Sequence, residues 1–371
     1  YYSPQVRYSI GVTADDSLRN TTEYNPTIRF AFPRENQDVH VRKVYTLGKI
    51  PVPLGNPDSV KVLLRNVGKQ DLSSHKLYTY SKGKNRQRDS FYINLKVEEE
   101  RIVNVPSLFP TSIGTDTVYV EASDKNTSNN SAYSVRWANE NIYSYRDITQ
   151  PPAGGGIGFN GSQGDFVARF MSNKPKNLNQ ISVAFSGSGR LFKLGIWDHD
   201  TVMSKPKKLL WESDSLITKA GTYIYDMPKQ VRVKGSFYVG ERQLDLNNVA
   251  FGYQMEQPVR PKTFFYAVPL GDTNWVDFNP GAPYKFIIEP RLQADYDVIA
   301  ADINLPKDTF NVHDADTVAP TAKITNIGVN DITDSVQIRC IIKGPNVLHY
   351  DEFLYDTISS GATKSYSFPK T

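Results

Sequence analysis

The chain has 371 residues, of which 39% are hydrophobic, with a net charge of +4 and one cysteine. That length exceeds one ordinary hydrophobic core and fits about two to four modules. A single cysteine excludes an intrachain disulfide framework, and the lack of an apolar run of about 18 residues excludes a membrane-crossing helix.

With 22 Tyr, 18 Phe, 24 Gly and 23 Pro, the composition favours many short strands joined by turns. Residues 1–34 predict two strands, 5–12 and 27–32, separated by a turn rich in Asp, Asn and Thr. Two strands do not bury a core, so this segment reads as the C-terminal strands of a preceding β-sandwich.

Residues 35–138 predict seven short strands with turn signals between them, the pattern of an immunoglobulin-like sandwich. A basic cluster at Lys82, Lys84, Arg86 and Arg88 reads as the tip of a solvated hairpin, with no aromatic stacking platform or recognition helix beside it; the alternative is contact with phosphate or an anionic surface. Gln150-Pro151-Pro152-Ala153-Gly154-Gly155-Gly156 has the composition of a linker. The strands that follow fill a module over 139–292, where about ten strands without helical periodicity suggest a jelly-roll sandwich. The last module, 293–371, repeats the first.

The repetition is explicit. Ser59-Val60-Lys61-Val62-Leu63-Leu64-Arg65-Asn66-Val67-Gly68 recurs in pattern as Ala319-Pro320-Thr321-Ala322-Lys323-Ile324-Thr325-Asn326-Ile327-Gly328. A second pair is Thr27–Pro33 and Tyr284–Pro290, each a strand ending at a proline. Aligned on the Asn-aliphatic-Gly turns, Ser365–Pro369 stands opposite Arg101–Pro106, and the second copy stops where the first continues. The terminal modules therefore read as incomplete. The fold class is all-β, with tandem β-sandwiches in the order immunoglobulin-like, jelly roll, immunoglobulin-like.

Motifs that carry chemistry are weak. Gly156-Ile157-Gly158-Phe159-Asn160-Gly161 has the spacing of a dinucleotide-binding turn, but that turn needs a strand before it and a helix after it. Here a Pro-Gly segment precedes and a strand follows, so it reads as a flexible loop. Asp198, His199 and Asp200 lack calcium-loop spacing and read as a polar turn, as does His313-Asp314-Ala315-Asp316. No catalytic residue, cofactor site or metal-ligand set is nominated. Cys340 sits in an apolar run and reads as a buried structural thiol rather than a nucleophile. Trp197, Trp211, Tyr223, Tyr225, Trp275 and Phe278 read mainly as core, with a sugar-stacking platform as the alternative.

Asp-(Ser/Thr)-aliphatic triplets recur eight times, with their hydroxyls at Ser17, Ser59, Thr117, Thr201, Ser215, Thr317, Ser335 and Thr357. One cause is turn chemistry: Asp favours turns and Ser or Thr begins strands. The other is O-glycosylation at the hydroxyl, and both readings stay open.

Asp165-Phe166-Val167-Ala168-Arg169-Phe170, Leu191–Asp198, Gly235–Gly240 and Phe251-Gly252-Tyr253 together resemble accessory jelly-roll domains of Bacteroidota secreted proteins. The flanking modules, with Asn66-Val67-Gly68 and Asn126–Asn130, are similar to the CARDB-type immunoglobulin-like fold of bacterial cell adhesion. The triplet resembles the O-glycan acceptor pattern of Bacteroidota. The resemblance implies a large protein exported by the type IX secretion system and held at the bacterial cell surface. The implied partners are other domains of the same larger chain, the secretion machinery or surface components, and glycans, without nucleic acid or a membrane span. The expected function is a non-catalytic structural or adhesive stalk. The alternative is a set of accessory, carbohydrate-binding modules of a secreted peptidase or glycoside hydrolase whose catalytic domain lies outside this chain.

Overall fold

The computed structural model describes residues 7–9, 12–15, 21–24, 27–29, 34–52, 60–106, 108–304, 319–343 and 348–369. Among them there is no helix, and none long and apolar enough to cross a membrane. The protein is all-β, built of β-sandwich modules.

The chain forms two compact units, one of Tyr1–Thr46, Ser59–Phe109 and Thr115–Arg136, the other of Leu47–Asp58, Pro110–Gly114 and Trp137–Thr371. In the first, a sheet runs in the order Glu100–Asn104, Lys61–Asn66, Val39–Tyr45. A second sheet places Leu72–Gly83 between Gln87–Leu95 and Gly114–Ala122, with Ser131–Asn139 beyond. Strand alternation turns Val62, Leu64, Leu77, Val118 and Val120 into one buried cluster. At the N-terminus Arg7–Ser9 pairs with Thr27–Arg29, and Val12–Asp15 with Thr21–Tyr24. Four short strands thus stand where the alternation predicts two.

The second unit centres on two long strands, Gly164–Phe185 and Gly221–Gln243, paired antiparallel. The sequence predicts the first as two strands, 165–171 and 180–186, and the second as three, 221–226, 230–233 and 236–241, with Pro175 and Pro228 falling in the gaps. The ladder instead shifts register between Ser172 and Lys176 and between Leu178 and Gln180. The shifts leave Pro175 and Pro228 at unpaired positions, where the missing N–H costs no ladder bond. Phe166, Phe170, Phe237, Phe251, Phe264 and Phe286 fill the core beneath.

Two expected loops are structured. Ala153 N–H donates to Tyr253 O at 2.9 Å, and the Gln254 amide donates to Asp147 O at 3.0 Å and Gln150 O at 2.7 Å, so the Pro-Gly segment is fastened to the sandwich. The segment Gly156–Gly161, expected to be flexible, begins as a strand paired with Phe251 and Gly252. Further on, Gln243 Oε1 accepts Phe159 N–H at 2.8 Å, and Gln243 Nε2 reaches Phe159 O at 2.8 Å and Asp245 O at 2.7 Å. A buried side-chain amide supplies the partners that this loop's backbone lacks within its own strand.

The C-terminal strands Val298–Asn304, Thr321–Asn326 and Thr363–Ser367 form one sheet, and Ile332–Lys343 pairs with Leu348–Ile358. This rebuilds the first unit's order of edge, centre and edge. The two Asn-aliphatic-Gly turns close in the same way. Asn66, fully buried, donates to Gln70 O at 2.9 Å and Leu95 O at 3.1 Å, and its Oδ1 accepts Gly68 N–H at 3.0 Å. Asn326, also fully buried, donates to Asn330 O at 2.9 Å and Ile358 O at 2.8 Å, and accepts Gly328 N–H at 2.9 Å. The glycines are required by close approach. A Cβ on Gly68 would lie 2.7 Å from Asn36 O, and one on Gly328 would lie 2.6 Å from Asp297 N. The alignment of the closing strands also holds, since Val105 N–H donates to Val60 O and Phe368 N–H to Pro320 O, each at 2.9 Å. Of the second repeated pair, residues 30–33 lie outside the described residues.

Candidate functional site

The first unit's second sheet carries a cluster of tyrosines and cations on its outer face. Along Leu72–Gly83, alternation sends Leu77, Thr79 and Ser81 inward and Lys76, Tyr78, Tyr80 and Lys82 outward. Tyr80 stands opposite Tyr119 in register, with ring centroids 5.0 Å apart and planes 13° from parallel. Tyr119 continues to Tyr133 at 5.7 Å. Three rings from three strands therefore form one row, a cross-strand arrangement that stabilises a sheet through side-chain pairs.

Cations cap the rings. Lys82 Nζ lies 5.0 Å from the Tyr119 centroid and 5.4 Å from that of Tyr80. Lys76 lies 5.0 Å from Tyr78, and the Arg88 guanidinium 5.3 Å from the same ring. Each distance falls within the range where the ring quadrupole attracts a cation. Tyr80 donates its hydroxyl to Glu121 Oε2 at 3.3 Å. Burial and the Glu121 charge push the Tyr80 phenol above its ordinary value. Tyr92 and Tyr133 are each 64% exposed.

Sequence reasoning found the cations and missed the rings. Tyr119 and Tyr133 lie more than 30 residues from Lys82 along the chain, and only the strand register joins them. The basic cluster therefore does have an aromatic platform beside it, contrary to the expectation from sequence. Lys84 and Arg86 are exposed at the adjoining hairpin.

The six aromatics of the second unit do not form one platform. Phe278 is in the main core, against which Trp211 and Tyr225 also pack. Trp197 is buried on the other side of the sheet with Val167, Tyr238 and Phe265, and Trp275 meets it edge-on at 5.8 Å. Gly195 makes room for the Trp197 indole, since a Cβ there would lie 2.4 Å from its Cη2. Tyr223 alone of the six is exposed.

Asp198, His199 and Asp200 point to separate partners. Asp198 Oδ1 accepts His199 N–H at 2.8 Å, Asp200 Oδ1 accepts Val202 and Met203 N–H at 2.9 Å each, and His199 Nδ1 meets the Tyr238 hydroxyl at 3.2 Å. Among the described residues, no three His, Cys, Asp or Glu side chains gather as for a metal ion. His313-Asp314-Ala315-Asp316 lies outside the described residues. Cys340 is half-buried against the C-terminal core, and burial pushes its thiol up.

Of the eight triplet hydroxyls, Ser17, Ser59 and Thr317 lie outside the described residues. Thr201, Ser215, Ser335 and Thr357 are exposed, and Thr117 is half-buried on the tyrosine face. Their aspartates often have structural tasks. Asp116 is 1% exposed and accepts Asn85 N–H at 2.6 Å and Asn85 Nδ2 at 2.8 Å. Asp356 accepts from Lys364 at 3.0 Å and from the Tyr366 hydroxyl at 3.1 Å. Those bonds, that of Lys364 foremost, hold its carboxyl below the ordinary value.

The second unit also buries ionisable groups. Arg242 Nε donates to Asp165 Oδ1 at 2.8 Å, and Arg242 also bonds Glu212. Next to it in sequence, Glu241 points to the opposite face, is fully buried, and neither carboxylate oxygen has a hydrogen-bond partner. Burial, with the Asp165 charge second, pushes its carboxyl well above the ordinary value.

No family model and no curated protein matches the chain. Two solved structures share a low likeness with it. One is the cysteine protease and lectin-like domains of Cwp84, a surface layer associated protein of Clostridium difficile, at 11% identity and a TM-score of 0.27, over 59% of this chain and 58% of that one. The other is native alfa-L-rhamnosidase from Aspergillus terreus, at 11% identity and a TM-score of 0.17, over 89% of this chain and 46% of that one. The chain thus spans 58% of the length of the first and 46% of the second.

Proposed function

We propose that this chain is a non-catalytic, adhesive stalk region of a large secreted protein at the bacterial surface. The observation that carries the reading is the duplicated asparagine lock. Two buried asparagines close equivalent strand turns with matching bonds to backbone groups, and a rigid unit used more than once in a chain suits the projection of a binding surface. The exposed tyrosine and cation face supplies such a surface. Export by the type IX route in a Bacteroidota host, and glycans on the exposed triplet hydroxyls, complete the proposal.

The second reading, accessory modules of a secreted peptidase or glycoside hydrolase, is favoured by the same face, because aromatic rings beside polar groups are a common means of holding sugars. Labelling intact cells of the source organism with antibody against this chain separates these readings. The stalk reading expects surface labelling and loss of attachment when residues 35–371 are deleted from the full-length protein. Labelling only after lysis, or unchanged attachment, overturns it.

A further inference from the structure

We infer that the outer face of Leu72–Gly83 and its neighbouring strands binds acidic polysaccharide, a chain of carboxylate-bearing pyranoses. The inference takes its biological setting from the adhesive reading above, but its argument stands on the geometry of the face.

The cations come first. Lys76, Lys82 and Arg88 are held over tyrosine rings, and among the described residues none of the three is in a salt bridge. A ring fixes a cation's position without neutralising its charge, so each remains able to meet an anion. With Lys84 and Arg86 exposed at the adjoining hairpin, the surface is complementary to a ligand of negative charge.

The rings decide what sort of anion it is. Tyr80 and Tyr119 already lie against one another, with Lys82 beside both. They offer edges and hydroxyls more than free faces. Tyr92 and Tyr133 are each 64% exposed; Lys76 lies 6.0 Å from the Tyr92 centroid and Tyr119 5.7 Å from that of Tyr133, which leaves the remaining ring surface to solvent at the two sides of the patch, on Gln87–Leu95 and Ser131–Asn139. Phenol hydroxyls suit a ligand rich in hydroxyl groups, and two separated ring faces suit the apolar faces of pyranoses spaced along a chain.

Nucleic acid fits less well. Non-specific single-strand binding stacks successive bases on open aromatic faces along a continuous basic groove, whereas here the central rings are taken up by each other. Glu121 sits in the middle of the patch, beside Tyr80, and it would repel the dense phosphates of a nucleic acid backbone. Each ring of a sugar acid chain also carries hydroxyls that can donate to the Glu121 carboxylate, which phosphate oxygens cannot do. The sheet is also preformed over a buried core of Leu77, Ile93, Val118 and Val120, so binding carries little ordering cost.

The test uses the full chain and polygalacturonate, followed by titration calorimetry, with dextran as the neutral control. The expected result is binding to polygalacturonate and none to dextran, weakening as salt rises. Affinity should fall about tenfold or more, some 1.4 kcal/mol, in Lys82→Gln/Arg88→Gln and in Tyr133→Ala, and return in Tyr133→Trp. All substituted side chains lie on the outer face, and an unchanged thermal transition verifies the fold. The inference is overturned if polygalacturonate does not bind, if these variants bind as before, or if single-stranded DNA or phosphatidylglycerol vesicles bind more tightly. If surface attachment persists while polygalacturonate binding is absent, the ligand assignment fails and the adhesive role stands.

Discussion

Glu241 sits with its carboxylate fully buried among aromatic and aliphatic side chains, and neither oxygen has a partner. An ionised carboxylate in such a place is costly, and the folded chain lowers the cost by keeping its proton. Its ordinary value is 4.5, and burial sets the folded value well above that. Between those two values the folded state binds a proton that the unfolded chain has released, so stability falls as pH rises through that window and stays reduced above it. Glu241→Gln removes the charge and preserves the shape. It should raise the thermal midpoint at pH 8 by roughly 3 to 6 °C and have little effect at pH 4. Scanning calorimetry of both proteins at the two pH values checks this, and an equal shift at both would remove the charge as the cause. The alternation of the strand Ser236–Glu241 sets Glu241 on the face of Phe237 and Val239, both in the core, but a charged residue at a strand end ordinarily meets solvent, so its burial was not legible.

At the scale of elements, the turns were legible and the long strands were not. Asn-aliphatic-Gly announces itself because only glycine tolerates the close backbone approach found at Gly68 and Gly328, and a buried asparagine has a donor and an acceptor to spend on turn backbone. The two long strands were hidden because proline and asparagine inside them signal breaks, while the register shifts that accommodate them arise only once a partner strand is present. The tyrosine face was hidden for a related reason, since its rings come from strands far apart in sequence. The turns yield a direct test. Asn66→Ala leaves Gly68 N–H and the carbonyls of Gln70 and Leu95 without their side-chain partner in a buried setting, at a cost of about 2 to 4 kcal/mol. Asn326→Ala should cost a similar amount, because its three bonds are equivalent. Urea unfolding of each variant measures it, and a loss below about 0.5 kcal/mol in either would mean that backbone and packing alone hold that turn.

For the molecule as a whole, the all-β character and the recurrence of modules could be read from composition and repeated motifs, since both depend on short-range patterns. What the triplets do depends on chemistry beyond the fold. Asp116 and Asp356 are engaged by neighbouring side chains and Asp200 by backbone N–H groups, so turn geometry accounts for the acidic residue in these three. It does not account for the hydroxyl beside it. Thr201, Ser215, Ser335 and Thr357 are all exposed, and none of them needs a hydroxyl to hold its turn or strand. Glycans at these four positions would cover strand and loop surface that otherwise invites pairing with another chain. Thr117 differs, because it shares the outer face with Tyr119 two residues on, and a glycan there would lie against the patch assigned to acidic polysaccharide. Intact-mass measurement of material from the native source should therefore show sugar increments, which peptide mapping should place on the four exposed hydroxyls ahead of Thr117. A mass equal to that of the bare sequence would leave turn chemistry as the whole origin of the triplets.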